Sequence, residues 1–205
     1  MPNTENDRKG PITVTATTPP ASPLDAERSD LLAALATARA ALVRTTRELS
    51  DEQAGERPTV SALCVGGLIK HVASMEEMWM RFAAEGPSTM RYDLPDGVTW
   101  ADLAAGTAPA VPQWMIDHQK EFGMQPGETL AGVLRRYEEV AAASEKILAT
   151  VPDLSATYPL PEVPWNEPGA VRSVRGALLH IIAETAQHAG HADILREALD
   201  GQTST

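Results

Sequence analysis

Apolar positions recur at helical spacing in four long stretches of the chain. The first follows Pro23, where Leu31, Leu32, Leu35, Ala38, Leu42 and Val43 stand three or four residues apart or adjacent on one stripe. Ser50-Asp51-Glu52 and then Pro58 predict its end. The second opens at Thr59 or Ser61 and runs to about Ala84, with Leu63, Val65, Leu68, Val72, Met75, Met78 and Trp79 on its apolar face. Gly86-Pro87 closes it. The third starts near Gly127-Glu128 and reaches Val151, striped by Leu130, Val133, Leu134, Tyr137, Val140, Ala141 and Leu148. The fourth runs from about Ser173 to Leu199, with Gly201 as the expected stop.

No repeat and no convincing core strand interrupt this pattern. It predicts an all-α fold, an antiparallel four-helix bundle over residues 23–201, with 202–205 as a tail. Residues 1–22 carry Thr and Pro without helical periodicity. They read as a flexible N-terminal arm, with at most a short strand at Ile12–Thr17. The stretch 85–125, between the second and third helices, is long for a compact domain and reads as a lid-like insertion. Short helices are expected in it at Trp100–Ala105 and Pro112–Glu121. A second Pro-rich connection, residues 152–171, holds Trp165.

Composition narrows the class of partner. The chain has 205 residues, 43% of them apolar, enough for one sizeable core. Its net charge of -11 disfavours a nucleic-acid backbone and an anionic membrane surface, and solubility is the simplest reading of it. The single cysteine, Cys64, excludes an intrachain disulfide and fits a cytoplasmic location. No signal peptide and no membrane span are legible. A small-molecule substrate is the expected partner. The N-terminal arm is a candidate for wrapping a twin subunit in a homodimer.

The histidines carry the chemistry. Three of five sit on the last helix, where His180, Glu184, His188 and His191 are spaced to share one face. Leu179, Ile182, Ala183, Ala186 and Ile194 form the adjacent apolar stripe, which places the polar stripe beside the core. Unpaired imidazoles and a carboxylate there would be costly, and a metal ion removes that cost. His71, among Leu68, Val72, Met75 and Met78 on the second helix, also faces or borders the core. One ligand from that helix and an i, i+4 pair from the last make a facial set with open positions.

The segments GGLIKHVASMEEMW and VRGALLHIIAETAQHAGHADILREALDG resemble the DinB/YfiT-like four-helix bundles, and within them an actinobacterial uncharacterised branch related to mycothiol-dependent transferases. The resemblance covers about residues 25–201. It implies a divalent ion held by His71, Glu184 and His188, with His180 and His191 as additional site residues. Glu184 stands where many relatives have histidine, and His191 where relatives often carry glutamine. A carboxylate in the set favours Zn, Ni, Mn or Fe(II) over Cu(I). The resemblance further implies a thiol S-transferase in which mycothiol is the co-substrate and a small electrophile the acceptor. A metal-dependent hydrolase or isomerase, or a non-catalytic metal-binding bundle, are the alternatives.

Other residues fall around this centre. Cys64 reads as a small buried hydrophobe rather than a pocket thiol. Glu76 and Glu77 are candidates for a second shell, with a solvated face the simpler expectation. Met78, Trp79, Trp114 and Trp165 are candidates for a pocket entrance. His118, beside Asp117, could close over the site. Arg172, Arg175 and Arg196 could bind an acidic substrate or the thiol, and Arg196 could instead serve a helix C-terminus.

Overall fold

The computed structural model describes residues 25–203, so the N-terminal arm and the strand expected at Ile12–Thr17 lie outside the described residues. The elements are α1 (Ala26–Arg44), α2 (Asp51–Gly55), α3 (Val65–Glu85), α4 (Trp100–Ala105), α5 (Gln113–Glu121), α6 (Leu130–Thr150), β1 (Thr157–Pro159), β2 (Val171–Ser173) and α7 (Val174–Asp200). Among the described residues the strands form one small antiparallel ladder, pairing Tyr158 with Arg172. Apart from that ladder the described residues are all-α. The long helices α1, α3, α6 and α7 are the bundle foreseen in the sequence.

The bundle is a ring in which α7 and α6 each touch both α1 and α3, leaving α1 and α3 on a diagonal. Arg175 at the start of α7 binds Glu27 at the start of α1, and Arg196 near the end of α7 binds carbonyls just past α1. Those two helices therefore run parallel. His71 early in α3 meets His188 late in α7, while Trp79 late in α3 meets His180, so this pair is antiparallel. Arg28 at the start of α1 binds the Val151 carbonyl after α6, so α1 and α6 are antiparallel too. The long connection at 86–129 lets α6 run parallel to α3, giving an up–down–down–up order.

The first helix ends earlier than its periodicity suggests. Thr45 and Thr46 turn their hydroxyls back onto the Leu42 and Val43 carbonyls, at 2.7 Å each. Arg196 takes the Thr45 and Arg47 carbonyls, at 2.9 and 2.6 Å. Acceptors that would continue the helix are thereby used up. Ser50 then starts a separate short helix through a capping box with Gln53. Arg196 is 2% exposed and committed to this cap and to Asp200, so it serves a helix end and not a substrate.

Glu76 is fully buried, contrary to the solvated face expected of it. Arg39 of α1 donates to both its carboxylate oxygens, through Nε at 3.1 Å and through Nη2, and Ser144 of α6 donates at 2.6 Å. Burial, followed by the Glu76 charge, pushes the Tyr137 phenol well above its ordinary range. Glu77, by contrast, lies on the surface and pairs with Arg136.

Cys64 caps α3. Its sulfur accepts the Gly67 amide at 3.3 Å, and the thiol lies 3.8 Å from the Phe122 carbonyl, so it is a buried helix cap. Removing one partner of a buried pair strands the other charge without solvent. Arg39→Ala or Glu76→Ala should each cost about 3–5 kcal/mol of unfolding free energy in a urea titration. Replacing Glu77 should change it by less than about 1 kcal/mol.

Candidate metal centre

Gly66 and Gly67 open the geometry of the centre. A Cβ on Gly67 would stand 2.3 Å from the carbonyl carbon and oxygen of Phe122, and one on Gly66 would stand 2.6 Å from the Met124 sulfur. Only glycine lets the end of α5 lie directly on the first turn of α3. Lys70, one turn on, fastens the same segment through the Lys120 and Gly123 carbonyls and the Glu128 carboxylate.

The next position facing that segment is His71. It is 9% exposed and stacks on Phe122 with ring centroids 4.3 Å apart. Its Nδ1 lies 3.3 Å from Glu121 Oε2, and Nδ1 of His118 lies 3.2 Å from the same oxygen. Burial alone would raise the Glu121 pKa. Hydrogen bonds from His118, His71 and Ser74 outweigh it and bring the carboxyl down to about 2. Glu121 is thus an anion at any neutral pH.

From α7, Glu184 and His188 face His71. His188 Nε2 is 3.5 Å from Glu184 Oε2, and the His71 and His188 rings meet edge-on at 4.9 Å. Burial, then the neighbouring His71, holds the His188 pKa below the usual imidazole value, with Glu184 opposing. A neutral imidazole is the form that binds a metal.

Among the described residues two groups of three donors result, and both contain His71. His71, Glu184 and His188 offer ligand atoms all within 4.8 Å of one another, and so do His71, His118 and Glu121. The donor chemistry in each, two imidazoles and a carboxylate, suits a divalent cation.

His180 and His191 share the helix face but join neither group. His180 packs edge-on to Trp79 at 4.7 Å, and burial lowers its pKa. His191 sits on the exposed side of His188, with 3.4 Å between their Nδ1 atoms. The polar stripe does border the core, but on the opposite flank from the one expected. Leu179 and Ile194 are 52% and 61% exposed, whereas Val174, Ala177, Leu178, Ile181, Thr185, Ala189, Ala192 and Leu195 are buried. Because α7 is apolar on two sides, periodicity alone does not say which one packs inward.

Glu121, Phe122 and Ser74 were not legible as site residues. A signal existed in the i, i+3 spacing of His118 and Glu121 on one predicted short helix. The remaining arginines have structural partners. Arg175 binds Glu27, and Arg172 lies over the Trp79 ring at 5.6 Å. Met78, Trp114 and Trp165 line a cleft of about 510 Å³ that His118 and Glu121 also border, while Trp79 lies outside its wall.

A helical bundle with a histidine–carboxylate cluster joining two of its helices is a general class of cation-binding scaffold. The match to a family model is specific: residues 30–201 fit that of the mycothiol-S-transferases, and the chain belongs to that family. No curated protein matches the chain. Among solved structures it is similar to a conserved protein of Enterococcus faecalis, at 15% identity and a TM-score of 0.47. That likeness covers 85% of this chain and 97% of that one. No helix among the described residues is long and apolar enough to cross a membrane.

Two measurements follow. Gly67→Ala should push the Phe122 segment off α3, lowering the melting temperature and quenching less of any probe bound beside Glu121. For metal-free protein, the lowered pKa values of His180 and His188 mean that the unfolded chain binds more protons at acid pH. Their contribution to stability is present above 6.5 and lost as pH falls through the folded values. Denaturation curves across this range should show a slope that is shallower in the His180→Gln, His188→Gln double variant.

Proposed function

We propose that the chain is a divalent-metal-dependent thiol S-transferase that joins mycothiol to a small electrophile, with His71, Glu184 and His188 as the metal ligands. The observation that carries this reading is the meeting of His71 from α3 with Glu184 and His188 from α7 in a member of this family. The contact of His71 Nδ1 with Glu121 leaves Nε2 as its free nitrogen. His188 Nε2 and Glu184 Oε2 already turn toward each other. Glu121 then acts one shell out, holding the His71 tautomer and ring orientation. Zn, Ni, Mn or Fe(II) suits such a set.

An ion bound there supplies a Lewis acid that lowers the pKa of a coordinated thiol. The chain's own residues do the rest. Phe122 and Gly67 fix the His71 ring, and Glu121 keeps its Nδ1 protonated. Burial keeps His188 neutral. In the overall reaction the thiol loses its proton to solvent. A carbon–sulfur bond forms as the bond from that carbon to its leaving group breaks.

Protein purified without a histidine tag should carry about one equivalent of metal by elemental analysis. It should conjugate mycothiol to a haloarene or epoxide, and a chelator should abolish the reaction. His188→Ala should lose both metal and turnover. Glu121→Gln should weaken metal binding about 10–100-fold while retaining the site, measured against a chelating dye. A larger loss in Glu121→Gln than in His188→Ala would instead place the ion on His118 and Glu121. Turnover of an ester or lactone without thiol would support a hydrolase, and metal without any turnover a non-catalytic bundle.

A further inference from the structure

The cleft beside the centre is built from four separate parts of the chain. Met78 comes from α3, Thr89, Arg91 and Tyr92 from the connection after it, Trp114 from α5, and Trp165 from the connection before α7. Its inner border is His118 and Glu121. Because Glu121 is also 3.3 Å from His71, the cleft lies one side chain away from the candidate centre.

The aromatic wall is held by the rings themselves. Tyr92 meets Trp114 at 5.1 Å and 88°, and Trp165 at 5.4 Å and 86°. Trp100 braces Trp165 from behind the wall at 5.4 Å and 86°. Edge-to-face pairs of this kind fix ring positions without filling the space in front of them. Trp165 is nevertheless 57% exposed, a large apolar surface left open in a chain with few aromatics. The Tyr92 ring also packs against the small buried cluster of Phe82, Met90 and Ala177, which ties the wall to the bundle.

Charge narrows the occupant. Arg91 is paired with Asp93 at 3.2 Å, and Glu121 is engaged by two imidazoles. The Arg91 side chain is 75% exposed and shares its charge with Asp93, so the lining residues offer no buried guanidinium or ammonium group to hold an anionic ligand. A volume of about 510 Å³ accommodates a molecule of one or two rings.

We propose that this cleft seats the acceptor of the transfer reaction, and that the acceptor is a flat, uncharged aromatic electrophile. The proposal rests on the transferase reading above. With a haloarene, the mycothiol sulfur bonds to the ring carbon as the carbon–halogen bond breaks. The halide leaves and the thiol proton goes to solvent.

The test has a binding arm and a kinetic arm, both on the full chain. Tryptophan fluorescence is titrated with naphthalene, naphthalene sulfonate and phenyltrimethylammonium. Naphthalene should quench best in the wild type and lose that quenching in Trp165→Ala. Kinetics compare 1-chloro-2,4-dinitrobenzene with iodoacetamide. Trp165→Ala should raise the KM of the aromatic acceptor about tenfold, the loss of one good aromatic contact. It should leave the KM values of iodoacetamide and mycothiol unchanged, and Trp165→Phe should restore most of the loss.

A rise in the mycothiol KM instead would put the thiol's sugar in the cleft and overturn the proposal. So would equal effects on both acceptors, or tighter binding of either charged probe. Trp165 lies in an exposed connection, and circular dichroism checks that the variant folds. Tyr92→Leu is the second variant, with the same expected pattern. If no acceptor is turned over, the transferase reading fails and the acceptor role with it, while the naphthalene titration still decides whether the cleft is an aromatic site.

Discussion

The ion pair of Arg39 with Glu76 spans the bundle along the diagonal between α1 and α3. A buried carboxylate needs its charge met and its lone pairs filled, and Arg39 and Ser144 together do both. That requirement admits one rotation and one height of α3 relative to α1 and α6. An aliphatic core of Leu, Val and Ala tolerates small slides between helices, and a charge pair at its centre does not. The height of α3 in turn sets where His71, five residues before Glu76, meets α7.

The candidate centre is a joint between two layers. The bundle supplies His71, Glu184 and His188, and the long connection between α3 and α6 supplies His118, Glu121 and Phe122. The two layers can touch because Gly67 carries no side chain where the Phe122 backbone arrives, and Gly66 none where the Met124 side chain does. A connection of this length could have been loose. Here it contains α4 and α5 and is anchored by Lys70. It covers one side of His71 with an aromatic ring and a carboxylate, leaving the other side to α7.

Polar and apolar surfaces divide around that joint. The helices facing the centre present imidazoles and carboxylates. The connections present rings. Tyr92, Trp100, Trp114 and Trp165 come from parts of the chain more than seventy residues apart at their extremes, yet they form one cluster.

The four long helices were legible because apolar spacing is a local property, and Leu35, Val72 and Val140 declare their faces within a few neighbours. The donors on α3 and α7 were legible for a similar reason: imidazoles and a carboxylate beside apolar stripes carry a desolvation cost that asks for a partner. Other features depend on the third dimension. Glu76 looked like its solvated neighbour Glu77 until Arg39 arrived from α1. The inward flank of α7 was decided by α1 and α3, since Leu179 and Leu178 are equally apolar in sequence. Glu121 came to lie beside His71 only because Gly67 lets a distant turn settle on α3. Local spacing specifies what each helix can bury, and long-range packing chooses which of those options is used.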